Sequence, residues 1–201
     1  MKKTLLSLLT TSILVSTSFA AADLTTETTA KSATYNTQAT LMLENTVLSS
    51  NALPNAEQEM LDALLNGADF SGQTSKNESL IHAAASYTEL PFFKRFLEES
   101  IARGFKITAT DKQGLTLLHR AASNRASDVA VYLTDQRLPT TLTGKYRYNP
   151  SDEEIYPLFF AIFSKNVALT STLSNGLTPE QIETTKAQVT AYQEWLNSEG
   201  Q

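Results

Sequence analysis

The chain has 201 residues, of which 41% are hydrophobic and 18% charged, the make-up of an ordinary water-soluble globular chain long enough for one domain. Its 16 basic and 21 acidic side chains leave a formal net charge of -5, which argues against duplex nucleic acid as a partner because phosphates need a positive field. With no cysteine, disulfides, thiolate metal sites, cysteine nucleophiles and a lipid-modified N-terminal cysteine are excluded, so packing alone must hold the fold.

Residues 1–20 read as a secretory signal peptide. Lys2 and Lys3 form the basic start, Leu5 to Val15 the apolar middle, and Ser18-Phe19-Ala20 a small-x-small cleavage site. The apolar stretch is interrupted by Ser7, Thr10, Thr11 and Ser12 and is shorter than the roughly 20 residues of a membrane span. No membrane insertion is expected once the signal is removed. The short basic start resembles bacterial export signals, which implies the periplasm, or secretion from an organism with one membrane. Residues 21–40, rich in Thr, Ala and Ser, cannot bury enough surface to offset their ordering entropy and are expected to be a disordered leader.

The folded domain is expected over 41–201. Leu41, Leu43, Val47 and Leu48 suit a first helix, Pro54 and Asn55 a break, and Glu57 to Asn66 a second helix with Met60, Leu61, Leu64 and Leu65 on one face, ended by Gly67. The run Ser79-Leu80-Ile81-His82-Ala83-Ala84-Ala85 comes next, and Pro91 then opens a longer helix, Leu90 to Arg103, with Phe93, Phe96, Leu97 and Ile101 on its seam. Asp111 and Gly114 suit the first and fourth positions of a tight turn, and Thr116 offers an N-cap hydroxyl. Leu118, Ala121 and Ala122 share one helical face, and Val129, Tyr132 and Leu133 repeat the spacing in a second short helix. Pro139 to Pro150 is an insertion whose Lys145-Tyr146-Arg147-Tyr148 alternates basic and aromatic side chains, reading as an extended strand or loop. After Tyr156 to Ile162 and a helix over Val167 to Leu173, a cap helix is expected over 179–197. There Thr178 and Gln181 form a capping box around Pro179, Ile182, Val189, Tyr192 and Leu196 form one stripe, and Trp195 serves as a core anchor.

Asp111, Gly114, Thr116, Leu118, His119, Ala121 and Ala122 closely resemble the turn and the T-P-L-H-x-A-A signature of the ankyrin repeat. Ser79 to Ala85 is a second copy, and the interval from Gly67 to His82 equals that from Gly104 to His119. Between Ser79 and Thr116 the spacing exceeds the family's period of about 33 residues, the excess lying in Leu90 to Arg103. Tyr156 to Ile162 matches more weakly, with Phe159 in place of His, Ile162 in place of Ala and Glu154 in place of the turn Gly. Leu64 to Asp69 resembles the end of a repeat, so the first unit is expected to be degenerate, its outer face polar to cap the stack. The resemblance covers roughly Leu41 to Gly176. It implies an all-α, ankyrin-type helical solenoid of about four helix-turn-helix repeats with a C-terminal capping helix.

His82 and His119 are the only histidines. The resemblance implies a structural role for them: each bonds the hydroxyl of Ser79 or Thr116 and the main chain of an adjacent turn, with Gly114 shaping the turn. That leaves none for acid–base chemistry or for a metal. The carboxylates Glu98-Glu99 and Asp152-Glu153-Glu154 are neighbours in sequence, which do not face each other on a helix, and no phosphate loop, nucleophile elbow or H-E-x-x-H occurs. No catalytic residue, cofactor or metal is therefore expected, and the protein reads as a non-enzyme. The resemblance places protein contacts at Ser75, Lys76, Glu78, Ser86 and Tyr87 in one unit and at Lys112, Gln113, Leu115, Ser123 and Asn124 in the next. Tyr87 and Leu115 are expected as outward-facing anchors, and Lys145, Tyr146, Arg147 and Tyr148 either contact a partner or pack on the stack. The expected function is a non-catalytic scaffold in the periplasm, a monomer, that binds another protein and in a narrower form inhibits an enzyme or gives immunity to a toxin. An acidic charge suits a basic partner. The alternative is an enzyme or a small-ligand protein holding an anion in a pocket beside the 139–150 insertion.

Overall fold

A computed structural model describes residues 35–199 except 73, 75–77, 125 and 147–152. The expected signal peptide, the leader up to 34, and Ser75, Lys76, Arg147 and Tyr148 lie outside the described residues.

Helix α1 (Thr37–Ser49) begins where it does because the Asn36 side chain, on extended backbone, accepts from the amides of Gln38 at 3.0 Å and Ala39 at 3.2 Å. Its first turn falls inside the stretch expected to be leader, so that boundary moves. Small polar residues carry no apolar signal, yet here they anchor: the Thr40 hydroxyl accepts from the Asp69 amide at 2.9 Å, and the Asn36 amide donates to the Gly67 carbonyl at 2.9 Å.

The other helices are α2 (Ala56–Leu65), α3 (Leu80–Tyr87), α4 (Leu90–Ala102), α5 (Leu117–Ser123), α6 (Ser127–Asp135), α7 (Pro157–Phe163), α8 (Val167–Ser174) and α9 (Pro179–Glu199). They pair as α1 with α2, α3 with α4, α5 with α6 and α7 with α8. The first helices stack in the order α1, α3, α5, α7, the second helices follow in parallel, and α9 lies against α7. Among the described residues this is an all-α solenoid of four helical pairs closed by a fifth element. The strands β1 (Gly144–Lys145) and β2 (Glu154–Ile155) pair antiparallel, Gly144 opposite Ile155, and form the base of the insertion.

An inner helix squeezed between two neighbours must be thin, and the sequence supplies alanine: Ala83 to Ala85 in α3 and Ala121 with Ala122 in α5 are fully buried. Their partners carry the bulk, with Phe92, Phe93, Phe96 and Leu97 of α4 buried. Ile101, expected on that seam, is exposed, and Ser100 takes the buried position. Helix α1 buries Ala39, Leu43, Thr46 and Val47. Leu41 and Leu48, expected in this helix, face outward, so the first unit does not present the expected polar cap. In α2, Met60 and Leu64 are buried and Leu61 is partly buried, while Leu65, in the last turn, is exposed. At the other end the Thr178 amide donates to Gln181 Oε1 at 2.8 Å and the Gln181 amide returns to the Thr178 hydroxyl at 3.2 Å, starting α9. Val189 and Tyr192 are buried, Ile182 and Trp195 pack beside them, and Leu196 falls outside the stripe. The Tyr192 ring lies 5.6 Å from Phe159 and 5.3 Å from Phe163, and Trp195 stacks on it at 5.8 Å.

Candidate protein-binding surface

Each histidine joins two units. Thr116 caps α5, and its amide donates to His119 Nδ1 at 3.2 Å, while the hydroxyl lies 2.8 Å from the same nitrogen. Across the stack, His119 Nε2 is 2.9 Å from the Ile155 carbonyl. A carbonyl can only accept, so Nε2 carries the proton, Nδ1 accepts, and the ring is neutral. His82 repeats the pattern: the Ser79 hydroxyl donates to Nδ1 at 2.5 Å, and Nε2–H donates to the Ala109 carbonyl at 3.1 Å. Burial pushes both imidazoles down to about 4, and for His82 nearby Asp111 opposes this in part. Neither is open to a substrate.

The turn between the second and third units is closed by Asp111, whose Oδ1 accepts from the Gln113 amide at 2.8 Å and the Leu115 amide at 3.0 Å. Gly114 has φ +75°, the left-handed geometry the turn requires. The strand pair of the insertion lies on this turn, and at Gly144 any side chain would meet the Gly114 carbonyl. Leu115 is thereby covered and 0% exposed, so it is not the outward anchor expected of it. The same turn holds a buried ion cluster that sequence reasoning missed. Arg120 donates from Nη2 at 2.5 Å and Nε at 2.7 Å to Asp111 Oδ2, and from Nη1 at 2.7 Å to Glu78 Oε1. Glu78, expected at the interface, is buried in this cluster. Ser86, also expected there, is buried with its hydroxyl donating to the Arg120 carbonyl at 3.2 Å. The signal available in the sequence was a lone arginine between Leu117-Leu118 and Ala121-Ala122, inside a stretch otherwise built for burial.

An accessible edge remains. Lys112, Asn124 and Lys145 are exposed, and Gln113, Tyr87 and Ser123 are partly so. The ends of the inner helices form a row held by bonds between units: Asn51 Nδ2 donates to the Tyr87 carbonyl at 3.3 Å, and Asn166 Nδ2 to the Ser127 hydroxyl at 2.6 Å. Tyr146 leaves this edge. Its ring packs 5.1 Å from Phe160 and 6.1 Å from Tyr192, so of the two roles open to it the structure selects packing.

A family model described as ankyrin repeats (3 copies) matches residues 50–143. These residues form ankyrin repeats. The match runs from the turn after α1 to the start of the insertion, and the fourth pair, α7 with α8, stacks on α5 beyond it. No curated protein shows a significant match to the chain.

Ankyrin repeats are protein-interaction domains, and the family is typically non-catalytic. In this ankyrin array an open depression of about 450 Å³ lies between the first two repeats, lined by Asn51, Pro54, Glu57, Glu89 and Phe92 among others. A second open depression, of about 440 Å³, is lined by Thr134, Arg137, Pro139, Thr140, Thr172 and Asn175 among others. Lys145 and Tyr146 do not line it, and Arg147 lies outside the described residues. No helix among the described residues is long and apolar enough to cross a membrane.

Proposed function

We propose that the chain is an exported, non-catalytic adaptor that binds another protein along the edge formed by Tyr87, Lys112, Gln113, Ser123 and Asn124. The observation that carries this is the open depression between the first two repeats, beside Tyr87, with Glu57 and Glu89 on its walls. An open hollow with carboxylates at its rim suits a protruding basic side chain of a protein partner better than a small ligand, which needs enclosure. The signal-like N-terminus supports a periplasmic setting, and the net charge of -5 suits an inhibitor or immunity protein for a basic enzyme or toxin there.

The test is recovery of partners from periplasmic extract on immobilised protein, comparing wild type with a Tyr87→Ala/Glu89→Lys variant. Both positions are at least partly accessible, so the fold should survive, and urea unfolding checks that it does. The expected outcome is a loss of at least about tenfold in retained partner, as for removal of an anchor worth about 1.4 kcal/mol or more. Equal recovery by a folded variant would count against this edge.

A further inference from the structure

We infer that Asn175 is a site of spontaneous covalent modification, at which the chain converts its own asparagine to aspartate and iso-aspartate at the joint between α8 and the cap helix α9. The sequence holds two Asn-Gly pairs, Asn66-Gly67 after α2 and Asn175-Gly176 after α8. In such a pair the glycine has no side chain to obstruct its own main-chain nitrogen, which can therefore reach the preceding side-chain amide. Hydroxide takes the Gly176 amide proton, the nitrogen forms a bond to Asn175 Cγ, and the Cγ–Nδ2 bond breaks to release ammonia, leaving a cyclic imide. Water then opens that ring at either carbonyl. Cleavage between Cγ and the Gly176 nitrogen gives aspartate. Cleavage between the Asn175 main-chain carbonyl carbon and the same nitrogen gives iso-aspartate, in which the chain runs through Cγ.

The fold separates two pairs that look alike in sequence. At Asn66 both reacting groups are held: Nδ2 donates to the Asp62 carbonyl at 2.8 Å, and the Gly67 amide donates to the Leu64 carbonyl at 3.1 Å. The peptide beyond is pinned as well, the Gly67 carbonyl accepting from the Asn36 amide at 2.9 Å and the Ala68 amide donating to the Ala63 carbonyl at 3.0 Å. Asn175 and Gly176 are both exposed, and among the described residues neither the Asn175 side-chain amide nor the Gly176 N–H makes a hydrogen bond. Asn175 is extended, with φ -65° and ψ 124°, so rotation about its Cα–C bond must bring the Gly176 nitrogen onto Cγ before the reaction. Two bonds oppose that rotation. The Thr140 hydroxyl, in the loop after α6, donates to the Asn175 carbonyl at 2.8 Å, and the Leu177 amide donates to the Ser174 carbonyl at 3.2 Å. Both hold the chain around the site and leave the reacting atoms free. The product changes the joint: a carboxylate enters the depression that Arg137 and Thr172 also line, and iso-aspartate lengthens the main chain just ahead of the Thr178 and Gln181 capping box that starts α9.

The experiment holds the purified protein in mildly alkaline buffer, folded or in concentrated urea, as wild type and as a Thr140→Val variant checked for folding by circular dichroism. Peptide mass spectrometry and iso-aspartyl methyltransferase labelling follow both asparagines. The inference expects conversion at Asn175 to be at least about tenfold faster than at Asn66 in the folded protein, because hydrogen bonds on the reacting groups must open first at Asn66. In urea the two rates should converge. Thr140→Val, which loses the bond to the Asn175 carbonyl, should convert faster at Asn175 while folded. Equal conversion at the two sites in the fold, an Asn175 that stays intact in the fold yet reacts in urea, or no acceleration in folded Thr140→Val would overturn it.

Discussion

Arg120 is the residue on which two turns converge, and its guanidinium is shared between Asp111 of its own unit and Glu78 of the preceding one. Two buried carboxylates against one cation leave Glu78 Oε2 without a hydrogen-bond partner, so the cluster has no slack. Arg120→Met should destabilise by about 3 to 5 kcal/mol, because both carboxylates are then stranded, and adding Glu78→Gln should recover part of that loss. Urea unfolding of the single and double variants measures both, and a single variant as stable as wild type would remove the cluster from the account. The cap and turn chemistry of Asp111, Gly114 and Thr116 was legible in the sequence, since each depends on backbone within four residues of itself. The burial of Leu115, Glu78, Ser86 and Tyr146 was not, because it depends on what a neighbouring unit lays over them. Gly144 is remote in sequence from Leu115, and Arg120 from Glu78 and Ser86, and local periodicity contains no term for such pairs.

At the scale of the element, the helix pairs and their order could be read from apolar spacing and caps, and the errors fall on outward faces. Leu65, Ile101 and Leu196 are expected on buried faces and stand in solvent, since a leucine or isoleucine one step off the seam looks the same in a pattern. The ends of the second helices carry a further regularity. Gly67, Gly104 and Gly176 follow α2, α4 and α8 with positive φ, and Arg137 takes the same place after α6 with φ 61°. A left-handed conformation strains a side-chain-bearing residue, so Arg137→Gly should stabilise the protein by about 1 kcal/mol. A rise in the urea midpoint reports it; a fall would mean that contacts of the arginine outweigh the strain.

For the molecule as a whole, stability is passed from unit to unit, and the two imidazoles sit at successive joints. Their pH dependence follows from burial. A histidine held down to about 4 in the fold but titrating near 6.5 when unfolded favours the native state fully above pH 6.5, and that contribution is lost as pH falls toward 4. Between pH 7 and 5 each histidine should remove about 2 kcal/mol of stability, with acidification loosening the joints before it protonates the folded rings. The most direct test is a nitrogen-15 NMR titration of the two imidazoles in the folded protein from pH 7.5 to about 4.5. Both should remain predominantly neutral, with the proton on Nε2, across that range while the fold persists. An imidazole titrating near pH 6.5, or carrying its proton on Nδ1, would contradict the claim that these rings hold the array together.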